Sequence, residues 1–315
     1  MTAIPEIRSK TAQAIDAAYE AAQERGDDLT LRCSSIGKAC DRRAWFALRW
    51  AAEKERHSGR TLRIFENGNI REGVVLKMLH MAGIDVREID EATGRQHRII
   101  LAGGALTGSC DGIAENVPDG PKTPHLVEIK TMNAKRWTEW RRKGVAASDP
   151  EYFAQAQLYM HGLGLTRCLF VAENKDTQDI EVERLHYDAA VALHHVARAE
   201  RIAAATEAPP RLSDDPNWYE CRFCPAHAVC HGGIAARRNC RTCLASTTHG
   251  DKWRCDRHGH DLTPADQRQG CPVHLYLPSL VAGDQVDADK DRLTVTYAMR
   301  DGTTFVDGAA PCTRA

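Results

Sequence analysis

The chain has almost no net charge. Its 42 Lys and Arg are set against 43 Asp and Glu, leaving −1 over 315 residues. With no basic field overall, capture of nucleic acid would have to come from local basic patches. No run of about 18 or more apolar residues occurs, so no membrane-spanning helix is expected. The opening residues, Met1-Thr-Ala-Ile-Pro-Glu, lack the basic start and apolar stretch of a secretory signal, which predicts a cytoplasmic protein. Cysteine, by contrast, is plentiful, with twelve in the chain. In a reducing compartment these read as metal ligands rather than disulfides. A chain of this length forms one large domain or two smaller ones, with ample core.

The most informative stretch runs from Gly108 to Lys130. It reads Gly-Ser-Cys-Asp-Gly-Ile, a Pro/Gly-rich turn, then His-Leu-Val-Glu-Ile-Lys-Thr. Asp111 ends one strand-like run, and Glu128 and Lys130 lie on the next. Residues two apart on a strand share a face, so Glu128 and Lys130 point the same way and Ile129 points into the core. Two neighbouring antiparallel strands would bring two carboxylates and an ammonium to one spot. Asp111, Glu128 and the Ile129 backbone carbonyl offer hard oxygen ligands for Mg²⁺ or Mn²⁺. Lys130 could position a water or neutralise charge developing on a phosphate. An isolated Asp…Glu-x-Lys is also compatible with a solvated ion pair on a half-exposed strand.

The wider pattern is Gly-x-x-Asp (Gly108, Asp111), Glu-x-Lys-Thr (Glu128 to Thr131), then Gln-x-x-x-Tyr (Gln155, Tyr159) on a helix starting near Pro150. It resembles the PD-(D/E)XK nuclease superfamily, and within it the RecB-like exonucleases of phages, helicase–nuclease complexes and CRISPR systems. The resemblance covers roughly residues 30–231. It implies an α/β fold, a mixed central sheet flanked by helices. It also implies metal binding by Asp111 and Glu128, catalytic assistance by Lys130, and contact of Gln155 and Tyr159 with DNA near the scissile phosphate. The segment Phe65-Glu-Asn-Gly-Asn-Ile-Arg-Glu72 resembles the family's Gly-His-x-x-Glu helix, with Asn69 where the His often stands. Glu72, or failing it Glu66, would then be a further acidic ligand or water positioner, unless Glu72 is an ordinary surface residue.

Helical spacing predicts helices over residues 4–25, 62–81 and 188–205, and strands over 86–89, 96–101, 106–110, 168–173 and 179–185. Ser34 or Ser35 is a candidate N-cap for a helix running from Asp41 to Trp50. After Thr131 a helix interleaves Lys135, Arg136, Arg141, Arg142 and Lys143 with Trp137 and Trp140. Such a mixture suits a nucleic-acid backbone with stacking on bases, or else a solvated amphipathic helix whose tryptophans pack inward, and Arg42 joins the candidate DNA contacts. Gln157 lies on another face of its helix from Gln155 and is given a separate role.

Two cysteine groups follow. Cys221-x2-Cys224-x5-Cys230 supplies three thiolates, and a tetrahedral site needs a fourth. In the iron–sulfur members of the RecB-like family one early and three late cysteines hold a 4Fe–4S cluster, and that resemblance assigns the fourth place to Cys40. Zinc with His227 or His231 is the alternative. Cys240-x2-Cys243-x11-Cys255-x15-Cys271 reads as a zinc-binding unit, with His258, His260 and His274 as alternates. Arg237, Arg238, Arg241, Lys252 and Arg254 favour DNA contact by this unit, with a purely structural appendage as the alternative. The tail alternates around Asp301-Gly302 and predicts a hairpin, and Cys312 reads as a free thiol.

These readings divide the chain into a nuclease core over 1–233 with its cysteine clasp, and a zinc unit with hairpin tail over 234–315. The expected function is Mg²⁺- or Mn²⁺-dependent DNA hydrolysis. The exonuclease form, in phage or prophage recombination or replication, with linear or single-stranded ends as substrate and a strand-annealing or helicase partner, follows from the resemblance. A non-catalytic nucleic-acid-binding protein and an assembly protein keeping the same fold stand as alternatives. The residues leave DNA against RNA, polarity and oligomeric state open.

Overall fold

The computed structural model describes residues 9–23 and 26–308. The ends of the helix expected over 4–25, and Cys312, lie outside the described residues. Within them helix α1 (Lys10–Ala22) begins at Ser9, whose hydroxyl accepts from the Ala12 amide at 3.2 Å. Helix α2 (Asp41–Leu48) is capped not by Ser34 or Ser35 but by Cys40, whose thiol accepts from the Arg43 amide at 3.3 Å. The two serines belong instead to a separate turn of helix, Cys33–Ile36.

Helix α3 (Gly59–Met81) leads into a five-stranded sheet. Its strands are β1 (Asp85–Arg87), β2 (Gly112–Glu115), β3 (His125–Met132), β4 (Arg167–Asn174) and β5 (Ile180–His186), in the spatial order β5-β4-β3-β2-β1. β3 and β4 are parallel, and the other pairs are antiparallel. A parallel pair needs a long crossover, supplied here by helices α4 (Ala134–Lys143) and α5 (Pro150–Leu163). Helix α6 (Ala189–Ala204) follows β5.

The sheet is covered on both faces. Leu126, Met132, Phe170 and Ala172 pack into one apolar cluster with Leu158 and Tyr159 of α5. Val127, Ile129, Leu169 and Val171 pack into another with Val75, Leu76 and Leu79 of α3. Strands buried on both sides read as near-continuous apolar runs, so Glu128, only 1% exposed in the middle of β3, stands out.

One part of the strand reading changes. The run Leu106–Ser109 does not pair with the Glu128 strand. It lies between Leu31–Arg32 and Arg98–Leu101 in a separate small sheet. The chain turns at Asp111, and the four-residue β2 then pairs with β3, Gly112 opposite Val127. Gly-Ile-Ala-Glu is too short to show a period of two, which is why the sequence conceals it.

The C-terminal region holds two three-stranded sheets, Ser246–His249 with Lys252–Cys255 and His260–Leu262, and Gly283–Asp289 with Thr294–Met299 and Thr304–Asp307. The hairpin turns at Asp301-Gly302, where Gly302 takes φ 83°. The strand Gly283–Asp289, acidic and largely exposed, has no apolar pattern to announce it. Trp253, Leu262, Tyr276, Leu277 and Leu280 share one apolar cluster with Trp45, Phe46 and Leu48 of α2, so the region is packed into the body. No helix among the described residues is long and apolar enough to cross a membrane.

Candidate active site

Strand β3 outruns β2. Beyond the Gly112–Val127 pair its edge is open, and the Asp111 loop closes that gap. The Ile129 amide donates to Asp111 Oδ2 at 2.7 Å, in place of a ladder partner. In a strand the N–H and C=O of one residue point to the same side. The Ile129 carbonyl therefore also faces the Asp111 loop, away from β4.

Glu128 and Lys130 project together from the other register of β3, and the ammonium pairs directly with Glu128 Oε1. The second carboxylate oxygen, Oε2, is buried and accepts no hydrogen bond. An unpaired buried acceptor is costly. Burial raises the Glu128 carboxyl above its usual range; the Lys130 charge opposes this, and Asp111 adds to it. Burial also raises Asp111, against Lys130 and the Ile129 amide. For Lys130, burial works against the charged form, but Glu128 and Asp111 outweigh it and hold the ammonium charged.

Glu72 of α3 belongs to the same electrostatic group. Burial first, then the Asp111 charge, push its carboxyl up to about 7. Its neighbour Arg71 makes a bidentate ion pair with the buried Glu173 at the end of β4, which pins this part of α3 to the sheet. Glu66 is turned elsewhere and bonds the Tyr19 hydroxyl of α1. Asn69 is exposed. Two carboxylates, a third nearby and a backbone carbonyl form an all-oxygen donor set that suits Mg²⁺ or Mn²⁺, and the unpaired Glu128 oxygen fits a ligand's role.

Helix α5 covers the site. Pro150 starts it, and Tyr152, Gln155 and Tyr159 recur at helical spacing on one face. Gln155 donates through Nε2 to the Tyr159 hydroxyl at 3.2 Å, and both side chains are buried. The hydroxyl proton is thus left to donate elsewhere. Gln157 points away and ties the β5–α6 turn, donating to the His186 carbonyl at 3.0 Å and accepting from the Asp188 amide at 2.7 Å. Tyr152, to which the sequence assigned no role, lies under the Lys130 ammonium, 5.0 Å from ring centroid to Nζ.

Gly108 makes room for Tyr159. A Cβ there would stand 2.4 Å from Tyr159 Cε1 and 3.0 Å from the Cys33 Cβ. We expect Gly108→Ala to destabilise the fold by about 1–3 kcal/mol through overpacking and to displace Tyr159 from Gln155. Denaturant unfolding reads the first effect, and DNA cleavage rate reads the second.

The candidate DNA contacts divide. Lys135 and Arg142 are exposed on α4. Arg141 pairs with Glu181 and lies over Trp137. Trp140 is buried and donates to Glu183 Oε2 at 2.8 Å. Arg136 bonds Asp149 and Tyr152. Arg42 donates to the Pro209 carbonyl at 2.9 Å. Near the C-terminus Arg237 grips Asp27, Arg238 and Arg254 donate to backbone carbonyls, and Arg241 is fully buried, while Lys252 is exposed.

Cys40, Cys221, Cys224 and Cys230 line one cavity, together with Arg42, His227 and His231. Burial raises the Cys224 thiol, with Cys40 and Cys230 adding to it. Cys240, Cys243, Cys255 and Cys271 line a second cavity with His258, His260 and His274. Burial, then Cys271, Cys243 and Cys255, push the Cys240 thiol up to about 11. His274 is wholly buried, with Nδ1 unpaired. Among the described residues, no three His, Cys, Asp or Glu side chains stand close enough together to grip an ion as they are placed.

No family model and no curated protein sequence matches the chain. Solved structures similar to it include exonucleases. One is an alkaline exonuclease, LHK-Exo, from Laribacter hongkongensis, at 16% identity and TM-score 0.41 over 60% of this chain and 90% of that one. Another is a phage related exonuclease from Haemophilus somnus, at 15% identity and TM-score 0.38 over 55% and 92%. A third is SSO0001, at 16% identity and TM-score 0.39 over 72% and 98%. At these values no residue role carries across.

Proposed function

We propose that the chain is a metal-dependent nuclease that hydrolyses DNA phosphodiesters from a strand end. The observation that carries the proposal is the grouping of Asp111, Glu128 and Lys130 at the open edge of the central sheet, with one Glu128 oxygen buried and unpaired. Asp111, Glu128, the Ile129 carbonyl and Glu72 would hold Mg²⁺ or Mn²⁺. Such an ion lowers the pKa of a water and polarises a phosphoryl oxygen. Lys130, held charged by Glu128 and Asp111, orients the attacking water and offsets negative charge developing on the phosphate. Tyr159, oriented by Gln155, donates its free hydroxyl proton towards the strand. Lys135 and Arg142 supply exposed cations for the phosphate backbone. The preference for an end rests on the resemblance to RecB-like exonucleases.

The two cysteine sets take structural metals in this reading. The all-thiolate set of Cys40, Cys221, Cys224 and Cys230 suits a 4Fe–4S cluster or zinc, and Cys240, Cys243, Cys255 and Cys271 suit zinc, with His258 and His274 at hand. Iron, sulfide and zinc analysis of anaerobically purified protein tests both assignments.

The test of function is incubation with end-labelled linear DNA and covalently closed circular DNA in Mg²⁺. Loss of the linear DNA with the circle intact is expected. Nicking of the circle would overturn the end preference, and survival of both would overturn the nuclease reading.

A further inference from the structure

We infer that Tyr152 is the positioning residue for Lys130, and that Arg136 serves the ring of Tyr152 rather than the phosphate backbone. The inference rests on the nuclease reading for its kinetic test and on geometry for its argument. Five side chains form one continuous stack between β3, α4 and the start of α5. Glu128 pairs with Lys130, whose ammonium lies over the Tyr152 ring at 5.0 Å. The Arg136 guanidinium lies over the same ring at 4.5 Å and is itself paired with Asp149. The order is carboxylate, ammonium, ring, guanidinium, carboxylate, so each cation over the ring has its own counter-ion.

The ring supplies what a half-buried ammonium lacks. Lys130 has three N–H donors and little water, and the negative face of an aromatic ring attracts a cation within about 6 Å. Held between Glu128 and the ring, Nζ loses the rotamer freedom that a long side chain otherwise keeps. The ring is fixed in turn. Its hydroxyl accepts from Arg136 Nη1 at 3.2 Å, and its flank meets Phe170, the β4 residue opposite Glu128.

Arg136 has few donors to spare for DNA. Nε donates to Asp149 Oδ1 at 2.6 Å, Nη2 bonds the same oxygen, and Nη1 is on Tyr152. Its helix is fixed at that point by Asn133, whose side chain accepts from the Arg136 amide at 2.8 Å. Asp149 is 8% exposed. Lys135, the residue before it, is exposed, and among the described residues its side chain makes no hydrogen bond or ion pair, its charge being felt only by Glu139 one turn on, so its ammonium can reach a phosphate.

The experiment compares Tyr152→Phe, Tyr152→Leu, Arg136→Gln and Lys135→Gln with the unaltered chain. DNA cleavage gives kcat and KM, and DNA affinity is measured against salt. Tyr152→Leu should lower kcat about tenfold at similar KM, and Tyr152→Phe, which keeps the ring face, should recover most of that loss. Arg136→Gln should lower kcat without changing the salt slope, whereas Lys135→Gln should weaken binding and reduce the slope by about one. Equal kcat for Tyr152→Leu and the unaltered chain, or equal loss in the Phe and Leu variants, would overturn the inference. So would a slope reduced by about one in Arg136→Gln, and that variant decides if Tyr152→Leu fails to fold. Should the unaltered chain cleave no DNA, the nuclease reading fails separately. Labelling of Lys130 by an amine-reactive reagent, read by mass spectrometry, then tests the stack: it should rise in the Leu variant and not in the Phe variant, and equal labelling in both would refute it.

Discussion

Glu128→Gln and Lys130→Met each lower kcat for DNA cleavage by a factor on the order of 10²–10³ or more, with KM little changed. Both side chains lie in a water-poor site where a fixed charge acts far more strongly than in solution. Glu128 is 1% exposed, and its ammonium partner sits on the same strand face. Neither group is free to bind the nucleic-acid backbone at a distance, so their loss falls on the chemical step rather than on substrate capture. The double variant should be hardly worse than the poorer single one, because residues acting as a unit are not additive. Single-turnover rates with circular dichroism on each variant check this. A folded Glu128→Gln variant with unaltered turnover would remove Glu128 from the mechanism.

Arg241→Met is the substitution with the largest expected cost in stability. Arg241 is 1% exposed and lies between two candidate zinc ligands, Cys240 and Cys243. Its guanidinium donates to the Leu48 carbonyl at 2.7 Å, to Gln267 Oε1 at 2.8 Å and to the Leu29 carbonyl at 3.1 Å. It stacks on Trp50 at 3.7 Å and on Trp253 at 4.8 Å. Burial pulls it down to about 9, so it is still cationic at neutral pH. Arg49 completes the joint, donating to the Arg241 carbonyl at 2.8 Å and, with the Trp45 indole, to the Ala205 carbonyl. Removing the guanidinium strands two buried acceptors, the Leu48 carbonyl and Gln267 Oε1, at about 1–3 kcal/mol each, and frees the Leu29 carbonyl, which lies nearer solvent. The expected loss is therefore at least about 2 kcal/mol, a large part of the ~5–15 kcal/mol that holds a typical domain. Arg241→Lys should not rescue it, because one ammonium cannot reproduce the planar fork. Urea unfolding measures the loss. A shift within experimental scatter would mean that the C-terminal region is not held by this joint.

Arg241 also shows where a sequence stops being readable. Beside Arg237, Arg238, Lys252 and Arg254 it looks like part of a basic surface. Its partners, Leu29, Leu48 and Trp50, lie some 190 or more positions earlier in the chain, and no local pattern encodes that contact. Arg136 misleads similarly, since its partner Asp149 sits beyond a short helix and a turn. The acid–base trio was legible because the relation between Glu128 and Lys130 is local: a strand fixes which residues share a face. Gln155 and Tyr159 were legible as one helical face for the same reason, whereas Tyr152, one turn earlier, went unassigned. The spacing could not show how Asp111 reaches them. That depends on a turn at Asp111 and a four-residue strand whose pairing partner, not its own pattern, makes it a strand.

The proposed metal centre is tested most directly by calorimetric titration of the chain, freed of Mg²⁺ and Mn²⁺, with either ion, in parallel with its Glu128→Gln and Asp111→Asn variants. Binding to the unaltered chain, lost in both variants, is expected at a site separate from any metal the cysteines retain. Equal binding by all three chains, or none by the unaltered one under conditions where its fold is intact, would contradict that centre.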